Sequence, residues 1–257
     1  MSQTRKLIFI GGAEGSGTTV LLRLLSAPDG CASFGGNFQK LPDHPDAKPL
    51  ANAFMAANSR VWDRKLSFEE HERGRRDWRA ATDRILAASA FAETVRYIFK
   101  RSSPFAAPRE QFTPDLWDIF ALSPDCKIVL IYRDPRAATY SAFRRKFDSD
   151  LRRLAVVCNE QLTWLAGQAR AIGPEGVRII SYRRLCANPV AVLEPIADFC
   201  TIPFGQVNEA IRREGMHANA DSRWMEELSG QDVDWLNTFF DGPRRRQWAI
   251  LDAGNED

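Results

Sequence analysis

Short apolar runs alternate with amphipathic segments along most of the chain. The runs at 6–12 (KLIFIGG), 127–132 (KIVLIY) and 177–181 (VRIIS) have the length and composition of buried parallel strands. A weaker β-like run covers 95–99. Strands separated by helical segments predict an α/β fold, a three-layer parallel sheet flanked by helices and joined by right-handed crossovers.

Helices are predicted where apolar residues recur every three or four positions. The clearest start is Ser67, because Glu70 completes a capping box for a helix with an apolar stripe at Trp78 and Ile85. The proline-rich stretch 28–66 is predicted to be irregular. The other predicted helices cover 18–26, the residues after Asp134-Pro135, 151–172, 189–200 and short segments within 203–251. No repeat or linker interrupts the pattern, so one domain over 1–257 is expected.

The composition excludes several classes of protein. The chain has 257 residues, 44% hydrophobic and 26% charged, with a mean hydropathy of −0.33. Its apolar runs are far below the ~18 residues of a membrane span, and Leu7 to Ile10 is too short for a signal-peptide core. Five scattered cysteines and three histidines make a disulfide framework or a metal site unexpected. We therefore expect a cytoplasmic protein without a transmembrane segment or a metal.

The charge of the chain narrows its ligands only slightly. A net charge of +2 does not indicate a nucleic-acid partner. Most of the 35 basic residues are arginine, whose planar fork matches phosphate and sulfate oxygens. The bias fits either an anionic ligand or the codon usage of a GC-rich genome.

A glycine-rich segment, GAEGSGTT at 12–19, lies between the first strand and the first helix. Backbone N–H groups of such a loop converge on an anion, and the helix N-terminus adds its positive end. The spacing nearly matches GxxxxGK[ST], but Thr18 stands where that motif has lysine. In nucleotide triphosphatases that lysine neutralises the charge on the transferred phosphate. Because it is absent here, an ordinary ATPase or kinase is disfavoured.

The segment FIGGAEGSGTTVLLRLL resembles the opening of sulfotransferases that use 3′-phosphoadenylyl sulfate (PAPS), above all the tyrosylprotein and bacterial branches. The resemblance implies a P-loop nucleoside-triphosphatase-like fold. Members usually carry a basic residue at the position of Gly15, where it stabilises charge on the transferring sulfuryl group, so this chain departs from them. The loop residues implied to hold the 5′-phosphosulfate are Gly15, Ser16, Gly17, Thr18 and Thr19.

A second motif, IVLIYRDPRAATYSAFRR, resembles the 3′-phosphate module of the same family. Arg133 ends a strand and Ser141 follows eight residues later, the spacing with which the family binds the donor's 3′-phosphate. Arg145 lies on the same helical face as Ser141 and has basic counterparts in the tyrosylprotein branch. A helical wheel places Tyr140, Phe143 and Phe147 toward the core, and Ala137, Ala138, Ser141 and Arg145 on another side.

Two weaker matches lie further along the chain. Tyr182, after the strand 177–181, matches a family position that contacts the donor nucleotide; core packing is the alternative. The segment HANADSRWMEEL resembles the loop that closes over the donor phosphates, which makes Arg223 a candidate phosphate contact.

The candidate catalytic cations are Arg101 and Lys100 in KRSSPF, near a Lys-Ser/Thr-Pro motif of the family. Aligning on Ser103-Pro104 puts Ser102 at the lysine position, so Arg101 takes that place only with one inserted residue. We rank it narrowly first. The alternative is a basic pair that anchors a surface loop. Candidate bases are Asp43, His44, Asp46 and Glu14, none of which is assigned.

The motifs together favour a PAPS-dependent sulfotransferase that acts on a hydroxyl of a carbohydrate, lipid or small metabolite. The products are the sulfated acceptor and adenosine 3′,5′-bisphosphate, and no metal is required. The Trp- and Arg-rich stretch 60–79 is either an acceptor site for a small molecule or glycan, or an amphipathic cover helix. The alternatives are a non-catalytic 3′-phosphonucleotide-binding relative and a P-loop kinase with an altered loop.

Overall fold

A five-stranded parallel sheet forms the centre of the computed structural model, which describes residues 6–35, 38–59, 67–102, 120, 123, 125–215, 221–242 and 245–252. The strands are β1 (Lys6–Gly12), β2 (Cys31–Phe34), β3 (Arg96–Ser102), β4 (Lys127–Tyr132) and β5 (Val177–Ser181). They pair in the order β2-β3-β1-β4-β5, so β1 lies in the middle.

Helices connect these strands and cover both faces of the sheet. The helices of the described ranges are α1 (Thr18–Leu25), α2 (Ala47–Ser59), α3 (Phe68–Ala87), α4 (Pro135–Arg144), α5 (Leu151–Ile172), α6 (Tyr182–Ala187), α7 (Pro189–Phe199), α8 (Phe204–Glu214), α9 (Arg223–Glu227), α10 (Gly230–Phe240) and α11 (Arg245–Asp252). None of those described has both the length and the apolar character needed to cross a membrane.

The central strand shows why the sheet is covered on both sides. Successive side chains of a strand point to opposite faces. Leu7 and Phe9 belong to a core that includes residues of α2, α3 and α5, whereas Ile8 and Ile10 belong to a second core with residues of α1 and α7. The predicted three-layer α/β fold is therefore confirmed.

Several predicted elements appear with the expected bounds. The strands at 127–132 and 177–181 and the helix at 151–172 coincide residue for residue with β4, β5 and α5. The capping box at the start of α3 is also present. Ser67 Oγ accepts from the Glu70 N–H at 3.3 Å, and a Glu70 carboxylate oxygen accepts from the Ser67 N–H at 2.9 Å.

The prediction of an irregular stretch at 28–66 is wrong, because it contains β2 and α2. β2 has four residues, too few for a periodicity signal, yet all four are buried. α2 includes Pro49 in its first turn, where the missing N–H has no helical partner to lose. The prolines therefore precede and begin a helix here instead of excluding one.

The helical wheel of α4 is partly wrong. Tyr140 is buried and Phe143 packs against the core, but Phe147 is 45% exposed. The helix ends at Arg144, and Lys146 takes a left-handed backbone conformation with φ of 58°, so Phe147 no longer follows the helical register. The wheel extended a helical periodicity beyond the end of the helix.

Candidate active site

The glycine loop forms a tight turn between β1 and α1. The Ser16 N–H and Oγ both donate to the Ala13 carbonyl, at 3.1 and 2.6 Å. Gly15 and Gly17 have φ of 88° and 97°, which strongly favours glycine. Among the described residues, no side chain caps α1, and its first turn carries no acidic residue. Its N-terminal amides and positive dipole end therefore suit an anion.

Neighbouring groups press closely on this loop. A Cβ at Gly17 would lie 2.6 Å from the ring of Tyr182, and one at Gly15 would lie 2.4 Å from the Ala138 carbonyl oxygen. A Cβ at Gly12 would lie 2.8 Å from the Ile131 carbonyl oxygen. The space beside each of these three positions is already occupied, so the loop requires glycine there.

Arg133 joins this loop to the end of β4. Its Nη1 donates to the Gly15 carbonyl at 2.9 Å, and its guanidinium carbon lies 4.4 Å from the centre of the Tyr182 ring. Its Nε donates to Asp221 Oδ1 at 2.7 Å. Arg133 itself is only 7% exposed. The arginine and the glycine loop, which are far apart in sequence, therefore lie in direct contact.

Ser141, on α4, and Arg145, directly after its last residue, lie beside the same loop. Arg145 Nη2 donates to Ser141 Oγ at 3.2 Å, and its Nη1 donates to Glu14 Oε1 at 3.4 Å. The Ser141 Cβ is 3.2 Å from the position that a Cβ of Gly15 would take. The small residues on this face of α4 therefore pack closely against the loop.

Tyr182, the first residue of α6, lies between the glycine loop and Arg133. Its ring contacts both Gly17 and Arg133. Burial raises the pKa of Tyr182 to about 12, and the neighbouring Cys186 adds to this shift while Arg133 opposes it. The phenol stays neutral at physiological pH, so its ring face is available to the guanidinium as a cation–π partner.

Lys100 is the predicted catalytic cation whose side chain the structure describes. In the register of β3 against β1, Lys100 pairs with Ile10. Ile10 lies two residues before Gly12, the first residue of the glycine-rich segment. Burial lowers the pKa of Lys100, the carboxylate of Glu14 partly opposes this, and the charge of Arg145 lowers it further. The Arg101 backbone pairs with Gly11, but the side chains of Arg101 and Ser102 lie outside the described residues, as do Ser103 and Pro104.

The segment HANADSRWMEEL contains Arg223, the predicted phosphate contact. Arg223 is exposed at the start of α9 and interacts electrostatically with Tyr140. Asp221, a residue of this segment that the sequence did not indicate, contacts Arg133. The signal in the sequence for this contact is an acidic residue within a segment that the family resemblance places over the donor phosphates. Residues 216–220 lie outside the described residues.

The candidate bases separate into two groups. The described hydrogen bonds of His44 are local, because its N–H donates to Pro42 and its Nδ1 accepts from the Asp46 N–H at 3.2 Å. Glu14, in contrast, interacts with both Lys100 and Arg145. Of the four candidates, Glu14 is the one for which the structure gives contacts at the loop.

A sequence model described as "Sulfotransferase family" matches residues 8–206. The putative protein-tyrosine sulfotransferase of Caenorhabditis briggsae is 24% identical over 219 residues, which cover 80% of this chain and 69% of that protein. Protein-tyrosine sulfotransferase 2 of Gallus gallus is 26% identical over 216 residues, covering 78% of this chain and 52% of that protein. The match thus spans about half of the length of the Gallus gallus protein.

Two solved structures are similar in fold. The sulfotransferase domain of the Synechococcus PCC 7002 olefin synthase has a TM-score of 0.58 and 17% identity, covering 94% of this chain and 96% of that chain. Mouse sulfotransferase SULT7A1, complexed with PAP, has a TM-score of 0.56 and 12% identity, covering 99% of this chain and 91% of that chain.

Proposed function

Since the chain belongs to the sulfotransferase family, as the match over residues 8–206 shows, we propose that it transfers a sulfuryl group from PAPS to a hydroxyl acceptor. The family resemblance inferred from the motifs is thereby confirmed. The observation that carries the proposed donor is the contact of Arg133 with both the Gly15 carbonyl and the Tyr182 ring. It supports one ligand that bridges the loop and the arginine.

The proposed donor site has two anion-binding parts. Loop amides and the N-terminus of α1 bind the 5′-phosphosulfate, which agrees with the absence, among the described residues, of a side-chain cap and of an acid in the first turn of that helix. Arg133, Ser141 and Arg145 bind the 3′-phosphate, in keeping with the spacing of eight that Arg133 and Ser141 share with the family. Adenosine 3′,5′-bisphosphate is then the product that remains in this site. The mouse sulfotransferase was solved as a complex with PAP, which supports the assignment.

The reaction is an in-line displacement at sulfur. The acceptor oxygen forms a new S–O bond, the S–O bond to the 5′-phosphate breaks, and the acceptor proton passes to a base. Negative charge develops on the leaving phosphate oxygen, so donors and cations aimed at that oxygen stabilise the transition state.

Lys100 is the cation that we propose for this charge. The usual basic residue of the family cannot occupy position 15, because the Ala138 carbonyl leaves no space for even a Cβ there. Lys100 approaches from β3, close enough to Glu14 and Arg145 for each to alter its pKa. We therefore assign the stabilisation of the leaving oxygen to this side chain.

The acceptor is proposed only as a hydroxyl group. Carbohydrates, lipids and small metabolites were the acceptors expected from the sequence, and the names of the animal relatives add the phenol of protein tyrosine. Each supplies the oxygen nucleophile that the reaction needs. A panel of a tyrosine peptide, a sugar, a sterol and a small phenol, tested with ³⁵S-labelled PAPS, distinguishes among them.

The donor assignment is tested with Arg133→Ala and Ser141→Ala. Titration calorimetry compares adenosine 3′,5′-bisphosphate with 5′-AMP, which lacks the 3′-phosphate. We expect Arg133→Ala to weaken the binding of the bisphosphate by about 10–100-fold, since a charged hydrogen bond contributes about 1.5–3 kcal/mol. The binding of 5′-AMP should weaken by less than about threefold. Arg79→Ala, which removes an exposed arginine on α3, is the control. Equal losses for both nucleotides contradict the assignment.

The second candidate function is a non-catalytic relative that only binds the nucleotide, and the glycine at position 15 favours it. Such a protein binds adenosine 3′,5′-bisphosphate but transfers no labelled sulfur to any acceptor. A kinase with an altered loop gives a third pattern: magnesium-dependent ATP binding that is indifferent to Arg133→Ala.

A further inference from the structure

Asp221 places a carboxylate on the arginine that is assigned to the 3′-phosphate. Its Oδ1 accepts from Arg133 Nε at 2.7 Å, and the two side chains are 19% and 8% exposed. The opposite end of the guanidinium is held by the Gly15 carbonyl. Arg133 thus already has a short, charge-assisted contact with an anionic oxygen of the kind that a phosphate provides.

We propose that Asp221 competes with the 3′-phosphate for Arg133, so that donor binding exchanges the carboxylate for the phosphate. The inference rests on the proposed function, in which Arg133 holds that phosphate. Two anions beside one buried arginine repel each other, and solvent screens this repulsion weakly at such low exposure. The carboxylate therefore weakens the binding of 3′-phosphorylated ligands in particular.

The structure offers the displaced carboxylate a place to move. Asp221 lines a cavity of about 410 Å³ between the ends of β4 and β5 and the helices α10 and α11. The charged side chains that line this cavity are of both signs: Arg136, Arg183, Arg184 and Arg245, and the carboxylates Asp134, Asp241 and Asp252. Arg136 already pairs with Asp134 and Asp241. A carboxylate that leaves Arg133 for this cavity therefore remains in a polar environment that also contains cations.

The opposite role makes the opposite prediction. If Asp221 only oriented Arg133 for the ligand, its removal would free the arginine to adopt other rotamers and would weaken binding. If Asp221 competes, its removal strengthens binding. The sign of the change in affinity therefore separates competition from positioning.

The first test is Asp221→Asn, which removes the charge and keeps the shape of the side chain. Calorimetry should show about tenfold tighter binding of adenosine 3′,5′-bisphosphate and a change below about twofold for 5′-AMP. Asp241→Asn is the matched control, because Asp241 lines the same cavity but pairs with Arg136. Unchanged or weaker binding of the bisphosphate to Asp221→Asn overturns the proposal.

A second measurement uses the wild-type protein, in case the variant folds poorly. The Nε–H resonance of Arg133, assigned with Arg133→Lys, should shift on addition of adenosine 3′,5′-bisphosphate and stay in place with 5′-AMP. A resonance that both ligands leave unchanged contradicts the exchange. If Arg133→Ala weakens the binding of both nucleotides equally, the proposed donor site itself is wrong. If Arg133→Ala weakens only the binding of the bisphosphate and Asp221→Asn does not tighten it, the donor site stands and the competition is wrong.

Discussion

Replacing Gly15 by alanine tests how closely α4 packs on the glycine loop. The residue has φ of 88°, and a Cβ there would lie 2.4 Å from the Ala138 carbonyl oxygen and 3.2 Å from the Ser141 Cβ. A left-handed conformation costs an L-residue about 1–2 kcal/mol, and overpacking adds about 1–3 kcal/mol. Gly15→Ala should therefore lower the free energy of unfolding by about 2–5 kcal/mol.

The control separates backbone strain from steric contact. Gly215 has φ of 61°, and no atom of the described residues lies within 4 Å of the position of its Cβ. Gly215→Ala should thus cost only the conformational part, about 1–2 kcal/mol. In thermal unfolding the midpoint should fall by about 5–15 °C for Gly15→Ala and by about 2–6 °C for Gly215→Ala. Equal shifts for the two variants would refute the close packing of α4 on the loop.

The same geometry makes a functional prediction for position 15. Gly15→Arg restores the basic residue that other members usually carry, yet we expect it to lower sulfuryl transfer from labelled PAPS. The arginine side chain can enter only if α4 moves, and α4 carries Ser141. A variant that is as stable as the wild type and transfers sulfur faster would contradict the argument that this loop excludes a basic side chain.

Three further predictions concern side chains around the loop. Lys100→Met should lower kcat for sulfuryl transfer by about 10²–10³-fold and leave adenosine 3′,5′-bisphosphate binding within about threefold in calorimetry. Since burial lowers the pKa of Lys100, kcat should fall as pH rises through a midpoint below the ordinary lysine range, and Lys100→Arg should move that fall to higher pH in a pH–rate profile. Tyr182→Phe should bind this nucleotide like the wild type, whereas Tyr182→Ala should bind it about fivefold more weakly because the cation–π contact with Arg133 is lost.

Local signals in the sequence were sufficient for the elements that position the site. β1, the glycine loop and α1 follow from a short apolar run, punctuating glycines and a helical repeat, all within twenty residues. The Asp134 side chain accepts from the Arg136 N–H at 2.8 Å and caps α4, as the Arg-Asp-Pro sequence predicts. Such features depend on neighbouring residues alone, so the sequence pattern determines them.

Contacts between distant segments could not be predicted in this way. Arg133 meets Gly15 across 118 positions and Asp221 across 88. The position of Lys100 depends on the register of β3 against β1, which no local motif specifies. Family resemblance indicated Arg133 and Ser141 as ligands of one phosphate, but it gave no reason to expect a carboxylate on the same arginine.

The acidic residues at the loop determine how donor affinity is to be understood. Arg133 is paired with Asp221 at 2.7 Å, and Arg145 contacts Glu14 at 3.4 Å. A ligand phosphate that binds these arginines replaces existing contacts, so its affinity reflects the difference between two ion pairs and not the full strength of either. Phosphate can carry two negative charges and a carboxylate only one, so this difference favours a 3′-phosphate over weaker anions. The acids therefore lower the absolute affinity for the doubly phosphorylated adenosine, and the competition from Asp221 also reduces its advantage over 5′-AMP.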